Sequence, residues 1–285
     1  MLSLTWKELF DKTRENLSQN HSPQAQNSLA YRLLEWTSGF TRTQLSLNWD
    51  LPVTPNFFQK WEGGMKRLLS GEPIQYIEAF TPFSNLLLKV HSSALIPRPE
   101  TEELVQLILA HHPSTEIISV LDIGTGTGCI GLALKYARPS WEIVATDISA
   151  QALDLAKENA RLSGLSIEFR QLNLLSASVN EYPEVNIIVS NPPYIPAPEI
   201  QEMDRSVSAF EPHIALFTPA GDPQCFYRAI AKLASSKLKA EGEVWVEGHR
   251  DYLPETKNIF EHHGFKKVTL MRDYNDNLRF LHALK

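Results

Sequence analysis

The sequence predicts an α/β protein in which a small bundle of helices precedes a doubly wound sheet. Three observations predict it. Up to about residue 71, apolar residues recur at helical spacing. From Ile96 onward, short β-branched runs alternate with helical segments. One such run, Val185-Asn186-Ile187-Ile188-Val189-Ser190, stops abruptly at Asn191-Pro192-Pro193-Tyr194. A strand that is apolar throughout is covered on both faces, and strands alternating with helices build a parallel sheet.

The elements follow in order. Thr5 caps a first helix with Glu8 at capping-box spacing, and Leu9, Phe10, Thr13 and Leu17 line its inner face. Ser22 or Ser28 opens a second helix that ends near Gly39; a third spans Thr41 to Leu47, and a fourth runs from Thr54 to Gly71. Residues 76–95 read as extended, with Phe83, Leu86, Leu88 and Val90 alternating about a Ser84-Asn85 turn. Seven strands are expected beyond them, at 117–122, 141–146, 166–170, 185–190, 243–247, 266–271 and 278–283. The chain divides accordingly into a helical domain over residues 1–75, a hairpin linker over 76–95 and an α/β domain over 96–285.

The 285 residues are 43% hydrophobic and 21% charged, the balance of an ordinary globular protein. The net charge of −6 argues against a broad phosphate-binding surface. Residues 1–75 carry eight Lys or Arg against seven Asp or Glu, so the negative excess lies in the remainder. Cys129 and Cys225 have no paired spacing, which points to a reducing cytoplasm. No signal peptide and no membrane-spanning run is expected. His111-His112 and His262-His263 read as solvated helix ends, since no carboxylate or Cys stands at ligand spacing; no metal is expected.

The chemistry gathers at strand ends, where open α/β sheets bind their ligands. The first strand of the α/β domain runs through Asp122 into Gly124-Thr125-Gly126-Thr127-Gly128 and then a helix. Such a turn lets a ligand approach the backbone, and the helix start adds a positive end. Asp147 closes the next strand 23 residues beyond Gly124, a spacing suited to ribose hydroxyls. The glycines lack the Gly-x-x-Gly step of dinucleotide readers, which favours S-adenosylmethionine over NAD. Asn173 and Leu174, after the third strand, are placed to touch a base ring.

In Asn191-Pro192-Pro193-Tyr194 each proline forces the residue before it to be extended and brings no N–H of its own. The Asn191 side-chain oxygen and a neighbouring backbone carbonyl then form a two-acceptor fork for a planar –NH2, with Tyr194 as a flat wall. A conjugated nitrogen is a poor nucleophile, so a site that methylates one acts by positioning and electrostatics. Pro97-Arg98-Pro99-Glu100-Thr101-Glu102 caps the first helix of this domain.

Taken together, Gly71-Glu72-Pro73-Ile74-Gln75-Tyr76-Ile77, Leu95 through Glu102, Asp122 through Gly128 and Asn191 through Ile195 closely resemble the HemK family of peptide chain release factor glutamine N5-methyltransferases. The resemblance covers nearly the whole chain. It implies a class I S-adenosylmethionine-dependent methyltransferase, Rossmann-like and seven-stranded, with an N-terminal bundle that binds the release factor. It implies methyl transfer to the glutamine of a Gly-Gly-Gln loop. Gly124 to Gly128 hold the methionine part of the cofactor, Asp147 the ribose, and Leu174 lies beside the adenine. Asn191 and Pro192 orient the amide nitrogen, and Tyr194 packs against it. The chain departs from the family pattern at Asn173, Leu174, Glu78-Ala79-Phe80 and Glu247-Gly248-His249-Arg250. The same fork would also serve a glutamine of a ribosomal protein, or a base amine of a nucleic acid. The base amine would call for a basic groove and a target-recognition insert. A non-catalytic binding module is the remaining alternative, and intact Gly124, Asp147 and Asn191 speak against it.

Overall fold

The computed structural model describes residues 4–113 and 116–285. They form two units, one reaching Ala79 and including Arg205–Phe210, the other comprising Phe80–Asp204 and Glu211–Lys285.

The first unit is helical. In α1 (Trp6–Leu17) the Thr5 hydroxyl oxygen accepts from the Glu8 backbone N–H, and the Glu8 carboxylate accepts from the Thr5 N–H at 2.8 Å. Of the two serines the sequence offered, Ser22 caps α2 (Pro23–Ser38), which Gly39 ends in the left-handed conformation. α3 (Arg42–Leu47) repeats the capping box with Thr41 and Gln44, and α4 (Pro55–Leu69) starts on a proline. Their apolar faces meet around Trp6, Leu9, Phe10, Leu33, Leu34 and Trp61. The Trp61 indole N–H is satisfied by buried Thr13 at 2.9 Å.

The chain is extended only from Phe80, not from residue 76 as its sequence suggests. Ile74–Glu78 is a short helix, α5, with Ile74, Tyr76 and Ile77 buried and an Arg32–Glu78 ion pair joining it to α2. Burial of Ile74 and Ile77 in the core of the helical unit outweighs the weak local extended signal.

The second unit opens with a hairpin, β1 (Phe80–Phe83) and β2 (Leu86–Lys89), turning at Ser84. Then follow α6 (Pro99–His111), β3 (Ser119–Ile123), α7 (Cys129–Ala137), β4 (Glu142–Asp147), α8 (Ala150–Ser163), β5 (Glu168–Gln171) and β6 (Val185–Ser190). The short helices α9 (Arg205–Ser208) and α10 (His213–Leu216) precede α11 (Cys225–Lys237), β7 (Leu238–Glu247), α12 (Leu253–His262), β8 (Lys267–Arg272) and β9 (Leu278–Leu284). By the division above, α9 falls in the helical unit. β3 starts two residues later than expected, and Ile117 is 70% exposed.

The seven-stranded sheet has the order β5-β4-β3-β6-β7-β9-β8. The pairs from β5 to β7 are parallel, whereas β9 runs antiparallel to both β7 and β8. Strand alternation sends Val120, Ile187 and Val189 into one core layer with α6 and α7, and Leu121, Ile188 and Val244 into the other with α11 and α12. From β3 the chain proceeds outward to β4 and β5, then returns to β6 on the opposite side. That reversal opens a crevice at the strand ends. Register sets what meets there: Ile123 pairs with Ser190, and Ser190 with Val246. The next residues, Gly124, Asn191 and Glu247, therefore emerge level with one another.

Candidate active site

A cavity of about 310 Å³ lies along this edge, with Gly124, Asp147, Asn173, Leu174 and Asn191 all in its wall.

The turn after β3 is built from hydrogen bonds to strand ends. The Gly124 and Thr125 N–H groups donate to the Thr146 carbonyl at 2.8 and 2.9 Å, tying the turn to β4. Asp122, fully buried beneath it, accepts from the Thr125 hydroxyl at 2.6 Å and the Gly131 N–H at 3.1 Å. Burial pushes its carboxyl up to about 6, against the opposing pull of those two bonds. A Cβ on Gly124 would meet no protein atom within 4 Å, so the cavity wall is bare backbone at that point. Gly128, at φ +83°, has another task. A Cβ there would come within 3.0 Å of Leu132 and 3.2 Å of Ala156. It is not among the cavity-lining residues, unlike Gly124, Thr125, Gly126 and Thr127, because it lies where the turn passes into α7 against α8.

Asp147 closes β4 at the cavity wall. Its Oδ1 accepts from the Ser149 N–H and its Oδ2 from the Gly126 N–H, both at 2.9 Å. Burial raises its pKa and these backbone bonds oppose the rise. Each oxygen retains a lone pair for a further donor. Asn173 turns its Oδ1 back onto the Leu175 N–H at 3.0 Å, which leaves its –NH2 as the outward polar group.

At the end of β6 the Asn191 Nδ2 donates to the Thr101 Oγ1 at 2.9 Å. The Thr101 hydroxyl in turn donates to the Glu247 Oε2 at 2.7 Å. With its hydrogen committed to Glu247, Thr101 offers only an acceptor, so the Asn191 –NH2 faces α6 and its Oδ1 is the acceptor left for the cavity. Glu247 is 1% exposed. Burial pushes it up to about 7, while Thr101 and the positive field of Arg279 pull the other way. Among the described residues none donates to the Pro192 carbonyl, and Pro192 and Pro193 both line the cavity. Farther along the wall, Arg98 Nη2 is 2.5 Å from buried Glu211, which also accepts from the Ile96 N–H at 3.0 Å. This pair fixes the chain that leads into α6.

Tyr194 departs from its expected place. It is not among the lining residues; its hydroxyl points to Glu247 Oε1 at 3.4 Å, and its ring packs against the core layer of α11 and α12. Burial holds its phenol well above the usual range. Thr101 and Glu247 are the site residues sequence reasoning missed. A signal for Glu247 existed, a carboxylate ending an apolar strand as Asp147 does. His111 is exposed at the end of α6, as its reading has it, whereas His112 is half-buried. They flank Glu243 of β7, a carboxylate distant in sequence, whereas His262 and His263 are exposed at the end of α12.

Family models agree with this architecture: one described as PrmC N-terminal domain matches residues 8–78, and one described as Methyltransferase small domain matches residues 100–205. The release factor glutamine methyltransferase of Flavobacterium psychrophilum is 38% identical over 258 residues, 89% of this chain and 90% of the relative. The chain belongs to the release factor glutamine methyltransferase family. The family's member in Streptococcus pneumoniae is likewise 38% identical, over 267 residues and 93% of both chains. A solved methyltransferase from Pyrococcus furiosus shares the fold, with a TM-score of 0.54 at 16% identity over 79% of this chain and 98% of that one. The enzyme thus has the class I methyltransferase fold, and its cofactor is S-adenosylmethionine. Among the described residues no helix is long and apolar enough to cross a membrane.

Proposed function

We propose that this enzyme methylates N5 of the glutamine side chain in the Gly-Gly-Gln loop of peptide chain release factors. The observation that carries the reading is the Asn191 amide, held by Thr101 with its oxygen left for the cavity that Pro192 also lines. In this reading the Asn191 oxygen and the Pro192 carbonyl are the two acceptors for the two hydrogens of a primary amide.

The cavity residues fit S-adenosylmethionine. Gly124 to Thr127 present bare backbone for the methionine part, and Asp147 offers carboxylate lone pairs to the two ribose hydroxyls. Asn173 and Leu174 supply a donor and an apolar contact for the adenine. Gly128 shapes the turn without touching the ligand. Bound there, the cofactor supplies an electrophilic methyl group on a sulfonium.

The protein's own part is positioning. Asn191 Oδ1 and the Pro192 carbonyl each take one amide N–H, which fixes the plane of the substrate nitrogen. Its face is then presented to the methyl group without a search through other orientations. No side-chain base is needed, because a methylated, positively charged amide nitrogen loses its proton readily to water. Tyr194 acts through Glu247, bracing the carboxylate that holds Thr101. The helical unit, which matches the PrmC N-terminal domain, docks the release factor in the cytoplasm.

The test is incubation of the enzyme with a purified release factor and labelled S-adenosylmethionine, followed by peptide mass spectrometry. The reading requires one methyl on the loop glutamine. A label on a ribosomal protein or on nucleic acid, with the release factor unmodified, would replace it.

A further inference from the structure

Away from the catalytic edge, three side chains from three elements converge on one point. Glu243 and Trp245 alternate along β7 and share a face, and β9 pairs His282 directly across from Trp245. The end of α6 brings His111 over the same face. His282 Nε2 is 2.6 Å and His111 Nε2 3.8 Å from Glu243 Oε2, and the three ligand atoms lie within 4.8 Å of one another.

The geometry points to a divalent transition-metal site of the zinc class, with His111, Glu243 and His282 as ligands and the remaining position left to water. Zinc bonds of roughly 2.0–2.2 Å in a tetrahedron place ligand atoms about 3.3 Å apart. The observed 2.6 and 3.8 Å separations fall on either side of that value and the third lies within 4.8 Å, so shifts of up to about 1.5 Å bring the three atoms onto one ion. His111, whose side chain is 51% exposed, can close the wider gap, while Glu243 and His282, 7% and 10% exposed, part by about 0.7 Å as the ion takes the place of their hydrogen bond. Ions therefore have access from the solvent side, past His111, to the two buried ligands.

The surroundings hold those two in place. The Trp245 indole N–H donates to Glu243 Oε2 at 2.8 Å, and the His282 ring stacks on the Trp245 ring at 4.1 Å with 19° between planes. His112 Nε2 stands 2.9 Å from the other carboxylate oxygen. Such outer contacts fix ligand orientation in metal centres. Imidazole with a carboxylate selects zinc and its neighbours over magnesium or calcium, which prefer all-oxygen sites. Lys267 on β8 is the nearby cation whose field reaches His111 and opposes a bound ion, and the Glu243 carboxylate offsets it. A metal here ties the end of α6 to β7 and β9. It lies four residues along β7 from Glu247, so its role is structural.

The test uses the full chain, without an affinity tag and stripped by a chelator. Zn2+ alone is titrated by calorimetry into the wild type, His111→Ala and Glu243→Gln, with Mg2+ as the control, and thermal melts follow the same series. The expected result is one Zn2+ per wild-type chain with a raised Tm, no response to Mg2+, and affinity ~10-fold or more weaker in His111→Ala. His111 is half exposed, so that variant decides even if Glu243→Gln fails to fold. Zn2+ heats and melts unchanged by His111→Ala, or no stoichiometric binding by the wild type, would overturn the site.

Discussion

Asn191 and Thr101 stand 90 residues apart in the chain, yet a 2.9 Å hydrogen bond from the Asn191 Nδ2 to the Thr101 Oγ1 joins the end of β6 to the first turn of α6. That bond decides which end of the asparagine amide meets the substrate. Thr101→Val keeps the shape and removes the acceptor, freeing the amide to rotate. Methyl transfer should fall ~10-fold, with affinity for S-adenosylmethionine changed less than about twofold, and Thr101→Ser should restore most of the loss. Rate and affinity falling together would mean that Thr101 shapes the pocket instead.

Asp147 tests the other half of the cavity. Its carboxylate bridges the Gly126 and Ser149 N–H groups as well as facing the cavity, so Asp147→Ala removes a ligand contact and loosens the glycine turn. Cofactor affinity should drop ~10-fold or more by calorimetry. Wild-type affinity would exclude the ribose assignment.

Stability should carry the imprint of Glu247. Folding raises its pKa from 4.5 to about 7, chiefly by burial, so the folded state binds more protons than the unfolded one between those values. Stability therefore falls as pH climbs through that window. Asp122 contributes in the same direction, from 3.8 to about 6. Glu247→Gln removes the first contribution. In denaturant titrations the variant should gain on the wild type by on the order of 3 kcal/mol between pH 4.5 and 7.5. Parallel stability curves for the two proteins would refute the buried, near-neutral titration.

The strand ends were legible in the sequence because the cues are local. A proline pair fixes where β6 stops, and an acid at a set distance past a glycine turn marks the end of β4. A capping box likewise disclosed the start of α1 at Thr5. What escaped depended on long-range contacts. Thr101 meets Glu247 across 146 residues and Arg98 meets Glu211 across 113, contacts between segments that no local pattern relates. Tyr194 follows a motif whose first three residues face the cavity, and period alone does not reveal that the ring turns into the neighbouring core layer. The α5 segment was misread for a related reason, since five residues are too few for helical periodicity to stand out.

The most direct test of the account is a paired measurement on Asn191→Ala, using a purified release factor as substrate. Affinity for S-adenosylmethionine should stay within about twofold of the wild type, while single-turnover methyl transfer drops by ~10² or more, because one of two positioning acceptors is gone. An undiminished transfer rate would contradict the claim that this asparagine holds the amide.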